Sequence, residues 1–262
     1  MEMLPALHAM ADAARAPALQ FFRSEGLSAD NKSDVNFDPV TEGDRATEAA
    51  IRAKIAELRP KDGILGEEYG ADDGSSGITW IIDPIDGTRA YLCGAPTWGV
   101  LIAAVQHGSV LCGVIDQPYI GERFWGSSEG AFWQKNATAP VRLKTRHTQS
   151  LADARIMTTF PEVGTPNDRA GFEAVAQRTQ LTRYGMDCYA YALLAAGQID
   201  VVVEAGLESY DIAGPIAVME AAGGVVTTWD GSSAVSGGQI LAAANKRLHQ
   251  EALDILAPFA AG

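Results

Sequence analysis

Cysteine and histidine are scarce in this 262-residue chain, which has three of the first and four of the second. Cys93, Cys112 and Cys188 are far apart and odd in number. Neither a zinc-ligand spacing nor a disulfide framework can be built from them. Each reads as a small core residue in a reducing compartment. His8, His107, His147 and His249 are scattered, none beside a group of acids, which excludes a histidine-rich zinc or iron centre and leaves them as surface or loop residues. Positive charge is also short. With a formal net charge of -13 the chain has no electrostatic reason to bind nucleic acid or an anionic membrane, and it repels a phosphorylated metabolite unless cations intervene. There is no G-x-x-x-x-G-K-[ST] loop and no G-x-G-x-x-G after a strand, so nucleotide sites of both kinds are excluded. Glu2, Asp12 and Arg15 interrupt the N-terminal stretch, which therefore does not read as a signal peptide, and a cytoplasmic location is expected.

Charge of either sign is absent from Ala90 to Ile115, a run of 26 residues. That length suggests a membrane span, but five glycines and prolines and the break "QHGS" at 106–109 divide it into two buried strands joined by a turn. "GSSEG" at 126–130 matches G-x-S-x-G, with Ser128 in the nucleophile position. Both flanks are strand-like, whereas a nucleophile elbow needs a following helix, so the expectation is a hairpin turn.

What the chain does have is regular punctuation. An Ala-rich helix is expected to about Arg23, ended or kinked by Pro17. "NKSDVNFDPVTEGD" reads as a polar loop, and Thr41 and Asp44 form a capping pattern for an amphipathic helix to Leu58. From Ile78 to about Leu143 the chain reads as six strands with short turns. From Ala154 strands and helices alternate, ending in the helix "KRLHQEALDILAPF". The expected class is α/β, with an α+β half at 1–148 and an α/β half at 149–262 forming one unit.

Acids stand at the ends of apolar segments. In "TWIIDPIDGT" the run Trp80-Ile81-Ile82 ends in Asp83 and Asp86, with Pro84 between them. Asp-Pro and Asp-Gly also make ordinary turns, so a plain turn and a metal site both remain open here. "GEEYG" places Glu67 and Glu68 after Ile64-Leu65, where a solvated loop is the alternative. "SYDIAGPIAVMEAAGG" places Asp211 at the start of an apolar helix, where the helix dipole alone would favour it. Together, three elements each ending in a carboxylate suit a hard cation such as Mg²⁺ bound by oxygen. The same acids that repel phosphate can then receive it through two or three ions.

In that order and at those separations, the three segments resemble the inositol monophosphatase family, over nearly the whole chain. Within it, "DPIDGTRAYLCGAPTWG" and "YGMDCYAYALLAAGQIDVVVEAGLESYDIA" look most like the histidinol-phosphate phosphatases. The resemblance implies a layered αβαβα sandwich and a homodimer acting on a small phosphorylated metabolite. It implies that Glu67, Asp83 and the Ile85 carbonyl hold one ion, that Asp83, Asp86 and Asp211 hold a second, and that Glu67 with Asp44 addresses a looser third. Gly87 and Thr88 would receive the phosphate at a helix start, and Thr88, paired with Asp44, would orient the attacking water beside Glu67. Tyr210 stands where many relatives have Trp, and Arg89-Ala90-Tyr91 where they commonly have Thr-Asn-Phe. Those departures bear on the substrate.

A histidinol phosphate site needs carboxylates beyond those that hold metal, because the leaving group carries an ammonium and an imidazole. Glu204 at the end of "IDVVV" and Asp187 at the start of "DCYAYALLAAG" are the candidates, with Arg183 nearby in the chain and Tyr184, Tyr189 or Tyr210 flanking the ring. The alternatives are a surface acid for Glu204 and a helix N-cap for Asp187. Competing functions are hydrolysis of inositol 1-phosphate or another sugar phosphate, and a non-catalytic binding relative.

Overall fold

The computed structural model describes residues 3–31 and 39–261. The first half runs α1 (Met3–Phe21), β1 (Ala29–Asn31), β2 (Pro39–Thr41), α2 (Glu42–Leu58), β3 (Gly63–Gly66), β4 (Gly70–Asp72), β5 (Ile78–Asp86), α3 (Thr88–Leu92), β6 (Gly99–Gln106), β7 (Ser109–Gln117), β8 (Glu122–Ser127), β9 (Gly130–Lys135) and β10 (Val141–Arg142). The second half runs β11 (Arg155–Thr158), α4 (Pro166–Ala176), β12 (Leu181–Tyr184), α5 (Tyr189–Ala195), β13 (Val201–Leu207), α6 (Ser209–Ala221), β14 (Val225–Thr228), β15 (Gly238–Ala243) and α7 (Lys246–Leu256). An eight-stranded sheet has the order β10-β9-β8-β7-β6-β5-β3-β4, antiparallel except where β3 runs parallel to β5. A five-stranded sheet has the order β12-β11-β13-β15-β14.

Strand alternation builds the layers. Successive side chains of a strand point to opposite faces. On the large sheet Trp80, Ile82, Val100, Ile102, Ala104 and Val114 pack with α1 and with Ile51 and Ile55 of α2. Their neighbours Leu101, Ile115 and Phe124 turn the other way and join a core with Ile212 and Ile216 of α6, Tyr191 of α5 and Val201 to Val203 of β13. Phe172 of α4 and Leu248 of α7 pack against the small sheet. The result is an αβαβα sandwich whose large sheet is covered on both faces, which is why Ala90 to Ile115 carries no charge. Among the described residues no helix is long and apolar enough to cross a membrane.

Several expectations change. Helix α1 passes through Pro17 to Phe21. The lost backbone hydrogen bond is outweighed by burial of Ala14 and Ala18, on either side of the proline, in the first core. The ends of the polar loop are paired strands, β1 with β2, and its middle, 32–38, lies outside the described residues. Cys93 is exposed rather than in the core, because it caps α3 at the surface. His249 is buried and shares a hydrogen bond of 2.8 Å with Thr227, so it is no surface residue. Ser128 lies in the two-residue connection between β8 and β9, where Ser127 pairs with Gly130.

Helix α6 is pressed into the large sheet because glycine leaves room for it. A Cβ added at Gly126 of β8 would lie 2.0 Å from the Ala217 carbonyl oxygen. That close approach carries the N-terminus of α6, and Asp211 with it, to the end of β5.

Candidate active site

The end of β5 does not form the turn that its Asp-Pro suggested. The strand continues to Asp86, and its register against β6 shifts between Asp83, which pairs with Leu101, and Asp86, which pairs with Gly99. One extra residue on β5 makes a bulge. Side chains three apart on a regular strand point to opposite faces, and a single inserted residue restores them to the same side. Proline has no N–H to give to a ladder, and a bulge is where a strand tolerates it. Asp83 and Asp86 thereby converge on Asp211 of α6, with one oxygen from each lying within 4.8 Å of the others.

Each acid is oriented by backbone. The Ile85 N–H donates to Asp83 Oδ1 at 3.0 Å, the Cys188 N–H to Asp86 Oδ2 at 2.6 Å, and the Glu208 N–H to Asp211 Oδ2 at 2.6 Å. The last bond is half of a capping box, so Asp211 both starts α6 and serves the cluster. Burial, and then the charges of Glu67, Asp86, Asp211 and Asp44, push Asp83 well above the usual carboxylate range. Burial, then Asp211 and Asp187, does the same to Asp86. Burial raises Asp211 to about 7, against the Glu208 N–H that favours its charged form. A cation between these groups reverses every repulsive contribution, and an all-oxygen donor set fits Mg²⁺.

Glu67, in the turn between β3 and β4, lines the same cavity, together with Ile85, Gly87 and Thr88. Thr88 Oγ1 lies 3.1 Å from the Ile85 carbonyl and 3.3 Å from Asp44 Oδ1. Asp44 is fully buried on α2, where its Oδ2 accepts from the N–H and hydroxyl of Thr41 in the expected capping box. It touches Thr88 and is not itself part of the cavity wall. Gly87 starts α3 with φ 86°, and a Cβ there would be 2.8 Å from Asp187 Cγ. Only glycine meets both demands.

The cavity encloses about 270 Å³ and reaches from the acid cluster to the small sheet. Glu204 and Asp187 also line it, Asp187 directly against Gly87. Glu204 is buried and accepts from the Thr158 hydroxyl at 3.0 Å and from the Thr159 N–H at 2.7 Å and hydroxyl at 2.9 Å. Burial nevertheless pushes it up to about 7, so it is no surface acid. Asp187 does not cap α5, which begins behind Cys188. It has φ 46° and accepts from the Thr97 hydroxyl at 2.5 Å. Burial raises it as well.

Not every expected residue arrives. Arg183 is exposed on β12, the edge strand of the small sheet, and does not line the cavity. Tyr184 is exposed beside Phe172, and Tyr189 donates to Glu122 at 2.7 Å, so neither flanks the site. Tyr210 packs beside Ile81 and Ala103, where the charges of Glu67 and Asp211 reinforce burial in raising its pKa. The aromatic residues that line the cavity are Phe160 and Tyr191. Tyr191 is the buried one. It is 3% exposed, and its hydroxyl has no hydrogen-bond partner among the described residues. Arg89, the basic residue of the lining, stacks over the Phe160 ring at 4.9 Å.

The inositol monophosphatase family model matches residues 2–258. The chain belongs to the inositol monophosphatase family. It is 36% identical over 260 residues to the chloroplastic bifunctional phosphatase IMPL2 of Arabidopsis thaliana, covering 95% of this chain and 73% of that one. It is 34% identical over 258 residues to the histidinol-phosphatase of Streptomyces coelicolor, covering 95% and 94%. Among solved structures, an inositol monophosphatase from Zymomonas mobilis superposes with a TM-score of 0.84 at 34% identity, over 97% of this chain and 96% of that one. The family's members are metal-dependent phosphatases, and this chain carries the acidic cluster of such an enzyme in Asp83, Asp86 and Asp211.

Proposed function

We propose that this protein is a Mg²⁺-dependent phosphomonoesterase that hydrolyses L-histidinol phosphate, acting in the cytoplasm as a homodimer. The observation that supports the substrate is that the cavity wall holds two further carboxyls beside Asp83, Asp86 and Asp211, the buried Glu204 and the half-buried Asp187. A polyol phosphate offers these acids only hydroxyls, whereas an aminoalcohol with an imidazole offers positive charge to both. The similarity to a histidinol-phosphatase supports the same reading.

Glu67, Asp83, the Ile85 carbonyl, Asp86 and Asp211 would hold two or three ions. Bound Mg²⁺ would polarise the phosphoryl group and lower the pKa of a nearby water. The backbone N–H groups that open α3, at Gly87 and Thr88, would donate to the phosphoryl oxygens. Thr88 has its proton directed to Ile85 or Asp44, so its oxygen can accept a hydrogen bond from the attacking water. Glu67 stands beside that water to take its proton. The water oxygen bonds to phosphorus in line with the ester P–O bond, which breaks, and the leaving oxygen takes a proton from a solvent water as the alcohol departs on the side of Glu204 and Tyr191.

A panel of monoesters tests this reading. With Mg²⁺ present, kcat/KM for L-histidinol phosphate should exceed that for myo-inositol 1-phosphate and for p-nitrophenyl phosphate. Preference for the inositol ester refutes the substrate and retains the phosphatase. No phosphate release from any ester makes the chain a non-catalytic relative.

A further inference from the structure

Glu67 has an insecure mounting compared with the other acids of the site. Asp83 and Asp86 stand on a central strand and Asp211 on a helix. Glu67 lies in a short turn between β3, of four residues, and β4, of three residues that are all exposed. Such an edge hairpin holds its shape only if its turn is tied to something rigid. Three successive backbone N–H groups do this. The Glu67 N–H donates to the Ile82 carbonyl at 3.2 Å. The Glu68 N–H donates to Glu48 Oε2 at 2.7 Å, and the Tyr69 N–H to Glu48 Oε1 at 3.2 Å.

Glu48 is a fully buried acid on α2, one helical turn after Asp44. Burying a carboxylate is costly unless several donors surround it. Here they are the two turn amides and Arg52, whose Nε lies 2.7 Å from Glu48 Oε1. Arg52 then reaches past the turn to the Gly70 carbonyl and, at 2.7 Å, to Asp72. A Cβ at Gly66 would lie 2.0 Å from Glu48 Oε1, so the carboxylate rests directly on the backbone that leads into the turn.

We infer that Glu48 is a positioning residue that fixes the Glu67 carboxylate at the distance from Asp83 that a shared cation requires. One face of α2 then registers two parts of the site at once, Asp44 behind Thr88 and Glu48 behind Glu67. The inference rests on the reading of Glu67 as a metal ligand.

Glu48→Gln keeps the shape and removes the charge, and its NH₂ must face either an amide N–H or Arg52. The test is calorimetric titration of the protein with Mg²⁺, together with the Mg²⁺ concentration for half-maximal hydrolysis of p-nitrophenyl phosphate. Groups that orient metal ligands typically contribute roughly 10- to 100-fold in metal affinity. Glu48→Gln should weaken Mg²⁺ binding by about ten-fold in both measurements, while kcat at saturating Mg²⁺ falls by less than about three-fold. Wild-type Mg²⁺ affinity in a folded Glu48→Gln variant, beside a Mg²⁺-dependent wild type, overturns the inference alone. A wild type that neither binds Mg²⁺ nor hydrolyses monoesters overturns the phosphatase reading with it. Should Glu48→Gln fail to fold, Arg52→Met loosens the same turn from its accessible side. It must shift Mg²⁺ affinity in the same direction, and an unshifted affinity there also overturns the inference.

Discussion

Glu204→Gln separates substrate recognition from chemistry. The substitution preserves volume, and its amide oxygen can keep the bonds from Thr159. Its NH₂ meets the Thr158 hydroxyl, which can rotate to accept. What it removes is a negative charge on the cavity wall, which the proposed function sets against the leaving group. A charge-assisted hydrogen bond contributes about 1.5–3 kcal/mol, or roughly ten- to a hundred-fold in kcat/KM. Steady-state kinetics should show that loss for L-histidinol phosphate and little change for p-nitrophenyl phosphate. The raised pKa adds a pH signature. Glu204 titrates near 7, so its charged fraction declines as pH falls from 8 to 6. The wild-type advantage over Glu204→Gln on histidinol phosphate should shrink with it, and taking this ratio cancels the titration of the substrate itself. Stability should move the other way. The folded state holds the proton up to about 7, whereas an exposed glutamate releases it near 4.5. Stability is therefore lost as pH rises through that window, and a rise of this size corresponds to about 3 kcal/mol at ~1.4 kcal/mol per pH unit. Melting temperatures of Glu204→Gln relative to wild type should climb between pH 5 and pH 8. Equal kinetic losses on both substrates, with no pH dependence in the ratio, would refute a recognition role.

EDTA should abolish hydrolysis and Mg²⁺ restore it, and Asp86→Asn should lose activity by orders of magnitude with its circular dichroism unchanged, because the cavity keeps its volume and loses a charge. Full activity of Asp86→Asn at ordinary Mg²⁺ refutes the metal assignment. Tyr191→Phe removes a hydroxyl with no hydrogen-bond partner among the described residues, so its melting temperature should hold. If that hydroxyl meets the leaving group, kcat/KM should drop about two- to ten-fold, the range of a neutral hydrogen bond, and unchanged kinetics assign the ring to packing alone. Ser128→Ala should leave kcat unaltered, since Ser128 turns the corner between β8 and β9, and a collapse of kcat in a folded variant would revive a serine nucleophile.

The sequence by itself determined the acids and the order of elements. An apolar strand ending in Asp83, and an apolar helix opened by Asp211, are local patterns, because burial period and capping act within a few residues. The long uncharged run from Ala90 to Ile115 likewise declared strands buried on both faces. Tertiary structure alone decided what those acids face. The bulge at Pro84–Ile85, which brings Asp83 and Asp86 to one side, depends on register against β6. The promotion of Tyr191 over Tyr184 and Tyr189, and the exclusion of Arg183 to an edge strand, depend on how α5 and β12 meet the small sheet. No local pattern sets Glu48 apart from the other acids of α2, and only the docking of the β3–β4 turn against that helix gave its carboxylate two backbone amides to hold. Contacts of this kind join residues 20 or more apart in the chain, and their energies depend on distance in space, which no local pattern encodes.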